Sequence, residues 1–417
     1  MRRFKILIGT TLLVFTLLIV ATASKTTKSG PEVVIPSFTP AQILAQQKTA
    51  KLYTIRQQEL KAAVSAYFES AIQAGDIVGA GVSIVQGDSV VISDGFGKRS
   101  INAQAKVDGE TVFRLGSLSK GFAAVLAADL KAEGKLSWND KISDYIPEFK
   151  LGDRSNTDKI RLAHILSHTS GTPYHSFTNL VEAGLPMETI ATRFDEVKPI
   201  SKPGHQYSYQ NAMFSLSQEV MRKVTGKDTK TLLKNRFFKP LGMNSVSMNH
   251  SDLMETENIA IPHVKRRRGW STLPLRDRYY NAVAAGGINA SSKDMAKWML
   301  FLLGHNPEVM KGEAIQEVFQ PFIVVNNHRK YYQRWVGHVQ SSYGYGWRIH
   351  KFKQEEANSE FTIWHHGGSV NNYRNEIAVY PESDLGICVL LNGNSKIART
   401  VIPDLHKIVK NTYDQFQ

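Results

Sequence analysis

The chain has 417 residues, 42% of them hydrophobic, and its 51 lysines and arginines outnumber 37 acidic residues to give a formal charge of +14. That length and apolar content suit a large buried core and exclude a fibrous or disordered protein. The single cysteine, Cys388, excludes an intrachain disulfide, and in the apolar run LGICVLLN it reads as a small core residue of a strand.

In chain order, MRRFK precedes the uncharged run ILIGTTLLVFTLLIVATA, which closes on Ala21, Thr22 and Ala23. A basic start, an apolar stretch and an A-x-A end mark an export leader over residues 1–23. The run from Ile6 to Ala23 is also close to a membrane span, so the leader reads as a cleaved signal peptide or a retained anchor. Either way the body is expected outside the cytoplasm, periplasmic or secreted. Without a cysteine near residue 23, a lipid anchor on a processed N-terminal cysteine is excluded. Loss of Arg2, Arg3 and Lys5 with the leader lowers the formal charge from +14 to +11. A basic body favours anionic neighbours, such as a membrane or wall surface, and nucleic acid is not expected for an exported chain. The densest cluster, KRRRGW from Lys265 to Trp270, reads first as a solvated loop and second as a contact for such a surface. Residues 24–40, rich in Ser, Thr, Lys and Pro, read as a flexible linker.

From about Ala41 to Ala74 the pattern is helical, and GAGVSIVQGDSVVISDGFG then reads as two strands turning at Gly87 and Asp88. Gly79 and Gly81 lack a third glycine and a following helix, so they read as close-packing positions and not as a nucleotide loop. In FRLGSLSKGFAAVLAADL, Phe122, Val125, Leu126 and Leu130 recur at helical spacing, which places Ser117 in a first turn and Lys120 three residues on, on the same side. Burial disfavours a charged lysine and a helix start favours an alkoxide, so both effects activate the serine. The plainer reading of a lone S-x-x-K is a helix cap beside a lysine that snorkels to water.

Helical patterns run from Leu115 to about Leu303, broken by SHTSGTPYH, KPISKPGHQYSYQN and KPLGMNSVSM. After YGYGWRIH come the strand-like runs FTIWHHGGS, RNEIAVYP and LGICVLLN, and a closing helix near Lys396 to Tyr413. This order predicts an α+β fold: one antiparallel sheet assembled from both ends of the chain (about 41–116 and 340–417), flanked by helices, with a mostly helical subdomain inserted at about 117–339. A cleft is expected between the two parts. HQYSYQNAMFSLSQEVM places Tyr209 and Asn211 before a helix; Asn211 reads as its cap, and a tyrosine beside a buried lysine can be held partly as phenolate. WHHGGSVNNYRNE places His366, Gly367, Gly368 and Ser369 on a strand, where paired glycines let a ligand approach the backbone. His365 points to the other face. His164 and His168 have the i, i+4 spacing of a zinc pair, but no glutamate follows His164, so they read as capping or packing residues.

Taken together, Ser117 to Lys120, Tyr209 to Asn211 and His366 to Gly368 stand in the order of the three motifs of the serine β-lactamase-like hydrolases, and the chain resembles their class C branch. FRLGSLSKGFAAV, GKLSWNDKISDYIPEF, ILSHTSGT, FFKPLGMNSVSM, AAGGINASSKDMAKWM and YGYGWRI are similar to recurring segments of that family, over roughly residues 60 to 410. The resemblance implies a β-lactamase/transpeptidase-like fold and an acyl-enzyme on Ser117, with Lys120 and Tyr209 sharing the general-base work. It implies substrate binding by Asn211, His366 and Gly368, and an oxyanion cradle from the N–H groups of Ser117 and Ser369. No cofactor or metal is implied, and Ser119 is left to polar support. The expected substrate is a small or peptide-like ester or amide. Where β-lactamases and carboxypeptidases usually carry a lysine this chain has His366, which ranks an esterase or D-amino-acid peptidase above a β-lactamase or penicillin-binding carboxypeptidase. A non-hydrolytic sensor or assembly protein that keeps the fold is the further alternative.

Overall fold

Two hydrophobic layers on opposite faces of one sheet organise the chain. The computed structural model describes residues 40–326, 330–354 and 359–416. The expected leader and all but the last residue of the linker lie outside the described residues. Residues 1–51 form one compact unit, described only where a helix begins, and residues 52–417 form the other. All contacts below are internal to the second.

Eight strands form the sheet: Gly79–Gln86 (β1), Ser89–Gly97 (β2), Ile323–Val324 (β3), His338–Tyr343 (β4), Arg348–Gln354 (β5), Ser359–Val370 (β6), Tyr373–Tyr380 (β7) and Leu385–Leu391 (β8). Their order is β2-β1-β8-β7-β6-β5-β4-β3, every neighbour antiparallel. The early hairpin thus pairs with the last strand, Val82 opposite Val389 and Ser83 opposite Cys388. This is the α+β sheet drawn from both ends that the sequence order predicts.

Period-two alternation sends β1 and β8 residues to two different cores. Val82, Ile84, Ile387 and Val389 join one core with Leu60, Val64 and Phe68 of the helix Pro40–Gln73 (α1) and with Val401 and Leu405 of the C-terminal helix. Leu60, Val64 and Phe68 recur every fourth residue, so α1 buries one stripe. Cys388 and Leu390 face the other core, with Phe122 and Trp298 stacked at 4.1 Å between ring centroids. Each such side chain, fully buried, contributes roughly 1.5–3 kcal/mol of transfer free energy.

The helix Ser119–Ala132 (α2) departs from the expected single apolar face: Ser119 to Ala128 and Leu130 are all buried. It packs against Asn211–Thr225 (α3) and the turn Val283–Gly286, so it is enclosed and not laid on a surface. An enclosed helix gives Lys120 no route to water, which removes the snorkelling reading. The basic run Lys265 to Arg268 is the exposed tip of a two-stranded hairpin, His263–Arg266 with Gly269–Thr272, and Lys265 Nζ and Trp270 Nε1 are tied to the Gly75 carbonyl. Among the described residues, no helix is long and apolar enough to cross a membrane and no cluster of His, Cys, Asp and Glu is placed to hold a metal ion.

Candidate active site

Ser117 sits on a single 3-10 turn, Gly116–Leu118, immediately ahead of α2. This turn presses on the end of β6. At His366 to Val370, β6 pairs only with β7, because its pairing with β5 stops at His365, and the turn occupies the open side. The approach requires glycine twice. Gly116 has φ +56°, and a Cβ on it would stand 2.8 Å from the Ser369 carbonyl carbon; a Cβ on Gly368 would stand 2.1 Å from the Leu115 oxygen. The expectation that the glycine pair admits a ligand is therefore corrected at Gly368. That residue is buried, and what it admits is the turn carrying Ser117.

Lys120 follows one turn later and is fully buried. Its Nζ lies 2.8 Å from Asn211 Oδ1, 2.8 Å from the Ala285 carbonyl and 3.3 Å from Ser117 Oγ. Burial, with the positive Arg348 nearby, holds it well below the usual lysine range. A neutral amine has two hydrogens and one lone pair. Asn211 and Ala285 take the hydrogens, which leaves the lone pair facing the Ser117 hydroxyl.

Asn211 does not cap its helix. It is the first residue of α3, preceded by Gln210 without a side-chain cap bond, and its amide is spent on Lys120 and, through Nδ2, on the Tyr279 hydroxyl at 3.0 Å. Burial pushes the Tyr209 hydroxyl up to about 12, against the pull of Arg348 and of the nearby Ser117. The expected partial phenolate is not held at rest, because desolvation disfavours the charged oxygen.

His366 is buried, donates from Nδ1 to the Gly367 carbonyl at 2.8 Å and accepts at Nε2 from the Tyr343 hydroxyl at 3.0 Å. Burial first, then the charges of Arg348 and Lys120, keep it far below the ordinary imidazole range. Its ring lies 6.3 Å from that of Tyr209, so it underlies the site and does not reach the cleft surface. Ser119 Oγ accepts the Ile288 N–H, in the supporting place expected. His164 Nδ1 accepts the Arg161 N–H at a helix start, and His168, with φ +60°, accepts the Gln210 N–H and packs, tilted, 4.2 Å from the Tyr209 ring, so both serve capping and packing.

A cleft of about 810 Å³ opens over this group, with Ser117, Tyr209, Asn211 and Ser369 on its wall and Lys120, His366 and Gly368 beneath. Sequence reasoning missed three contributors: Tyr343 under His366, Tyr279 behind Asn211, and Arg348 on the cleft wall, whose Nε and Nη1 have no hydrogen-bond partner. Tyr343 and Arg348 bracket the quoted YGYGWR segment, a signal that was available. Tyr279, at φ +72°, carries none.

Comparison with known proteins places this geometry in a context. The family model described as Beta-lactamase matches residues 64–407. Protein flp of Staphylococcus aureus strain MRSA252 is 25% identical over 356 residues, 84% of this chain and 66% of that protein. Unguisins hydrolase ungD' of Aspergillus campestris is 25% identical over 330 residues, 76% of this chain and 59% of its own. The chain thus spans just under two thirds of the length of the curated relatives it matches. Among solved structures, the octameric penicillin-binding protein homologue from Pyrococcus abyssi superposes with TM-score 0.70 at 24% identity, covering 83% of this chain and 77% of that one. EstCE1, a hydrolase with promiscuous acyltransferase activity, superposes with TM-score 0.72 at 18% identity, covering 85% and 99%. Both share the fold.

Proposed function

Because the chain belongs to the beta-lactamase family, we propose that it is an exported serine hydrolase that cleaves an ester or amide through an acyl-enzyme on Ser117. The observation that carries this reading is the Lys120 amine, buried, pushed toward its neutral form and spent on two acceptors so that its lone pair meets the Ser117 hydroxyl. A lysine kept only for packing needs none of that arrangement.

In the reaction, Ser117 Oγ attacks the substrate carbonyl carbon while its proton passes to Lys120 Nζ. Tyr209, beside Ser117 on the cleft wall, hands a proton to the leaving group and is reprotonated from Lys120, so the pair ends the acylation step as it began. The developing oxyanion lies between the N–H groups of Ser117 and Ser369, which the Gly116 contact draws together; one such donor is worth about 3–4 kcal/mol. Asn211 orients Lys120 and borders the bound substrate. Water then cleaves the ester by the reverse proton path. Support for an exported body rests on residues 1–23, and the exposed tip Lys265 to Arg268 suits an anionic membrane or wall surface.

Esterase or D-amino-acid peptidase activity is the primary reading, since His366 offers no cation. One observation favours the penicillin-binding or carboxypeptidase reading as the second: Arg348, on the cleft wall with no ion-pair partner among the described residues, supplies a cation for a substrate carboxylate that His366 does not. The deciding experiment is intact mass after exposure to a fluorophosphonate and, separately, to a penicillin, with Ser117→Ala alongside. Phosphonate labelling at Ser117 alone supports the esterase or peptidase form and labelling by both the penicillin-recognising form; labelling by neither returns the chain to a non-catalytic role.

A further inference from the structure

Behind the cleft wall a row of hydrogen bonds crosses four adjacent strands. His338 Nε2 meets Ser341 Oγ at 2.7 Å, Ser341 meets His350 Nδ1 at 2.8 Å, His350 Nε2 meets His365 Nδ1 at 3.1 Å, and His365 Nε2 meets Glu376 Oε2 at 2.9 Å. Ser341, His350, His365 and Glu376 are buried, and none belongs to the proton path above. The carboxylate fixes the direction of the whole row: Glu376 can only accept, so each histidine carries its hydrogen on Nε2 and passes it toward Glu376. The row is satisfied with His350 and His365 neutral and one negative charge at its end.

That charge is spent on the cleft. Glu376 accepts from the Tyr331 hydroxyl at 2.7 Å and pairs with Arg374 at 2.7 Å, and both partners line the cleft. Gly367 leaves the space for them, since a Cβ there would lie 2.9 Å from Glu376 Oε2 and from the Tyr331 oxygen. Although burial opposes ionisation, Arg374 and the bonds from His365 and Tyr331 hold the carboxyl below its ordinary range. Five cations border the cleft: Lys330, Arg348, Arg374, Lys396 and Arg399. Among the described residues, Arg374 alone of these has an ion-pair partner. The acid on the cleft rim, Glu182, is engaged by Arg278.

We propose that Glu376 is a positioning residue that sets the selectivity of this cleft for acid-bearing esters or amides, by withdrawing Arg374 from the cations and leaving Arg348 to receive the substrate's anionic group. Tyr331, its hydrogen pinned on Glu376, presents only an acceptor to the same substrate. This inference rests on the hydrolase reading for the cleft being a substrate site, but its test does not need turnover.

The test compares two probes, the mono-p-nitrophenyl ester of glutaric acid and its methyl diester, by their dissociation constants on Ser117→Ala protein in a calorimeter. Glu376→Gln should improve the preference for the acid-bearing ester by roughly three- to tenfold, because Arg374 becomes uncompensated; Arg374→Gln should reduce it by a similar factor; the double variant should return close to the parent. Glu376→Asp, which keeps the charge, should keep the parent ratio. Shifts of the same sign in both single variants, no shift in either, or Glu376→Asp behaving like Glu376→Gln overturns the proposal. Should Glu376→Gln not fold, Arg374→Gln decides alone, an unchanged ratio counting against. Ser117 labelling in the otherwise unaltered protein is scored separately, so loss of the hydrolase reading and loss of this one are told apart.

Discussion

Lys120 and Asn211 stand 91 positions apart in the chain and meet at 2.8 Å, side chain to side chain, in a place closed to water. That contact ties the helix behind Ser117 to the helix behind Tyr209, and it takes one of the two hydrogens that a neutral Lys120 must place.

A depressed lysine leaves a mark on the rate profile. Acylation of Ser117 should rise with pH as Lys120 loses its proton and level off well below 10.5, the ordinary lysine value, because burial and Arg348 both disfavour the ammonium. Stopped-flow acylation by an activated ester, measured against pH, checks this. Lys120→Arg, which stays charged, should show no such limb and little acylation.

Tyr209→Phe removes one hydroxyl and leaves the ring on His168. Turnover should fall by about two to four orders of magnitude while the thermal midpoint stays near the parent value. Unchanged turnover takes Tyr209 out of the proton path.

Putting the family's more usual lysine at His366 should not create an anion site here. The side chain is buried beneath the cleft, and Arg348 and Lys120 already act on it. An added cation at that depth lacks a counter-charge, so His366→Lys should lower stability by about 2–4 kcal/mol, read from urea unfolding, with no gain in penicillin acylation.

Acid should weaken the fold earlier than its carboxylates alone would suggest. His168, His350, His365 and His366 are all held below the ordinary imidazole value of 6.5, burial being the leading cause in each. Below 6.5 the unfolded chain binds protons at these positions and the native one does not, so unfolding free energy falls as pH drops. Each group contributes a loss of up to about 1.4 kcal/mol per pH unit until its native value is reached. Melting temperatures followed from pH 8 downward should begin to decline near 6.5. A flat profile until the carboxylate range shows that the native state admits those protons.

The order of strands and helices was legible because periodicity is local: alternation in GVSIV and LGICVLL and the fourfold spacing in FAAVLAADL survive without knowledge of partners. Ser117 and Lys120 were legible for the same reason, being one helical turn apart. What escaped depends on contacts between distant segments. Nothing near Asn211 says that its amide turns inward to Lys120 and not back on its own helix, and nothing near His366 says that Tyr343 lies over its ring nitrogen. The neutral phenol of Tyr209 follows from the packing around it, which no local run of sequence reveals. Glu376 looks in the sequence like one more strand residue.

The pairing of β1 with β8 bears on how the molecule is made. Ser117 leaves the ribosome long before Ser369, yet the turn that carries it is braced by the strand that holds Ser369, and the first hairpin waits for the last strand to close the sheet. The cleft is therefore a late product of folding, built from contacts of high sequence separation, which form slowly. Until β6 is in place the Ser117 turn has no Ser369 beside it, so on the proposed reaction a nascent chain lacks half of its oxyanion cradle.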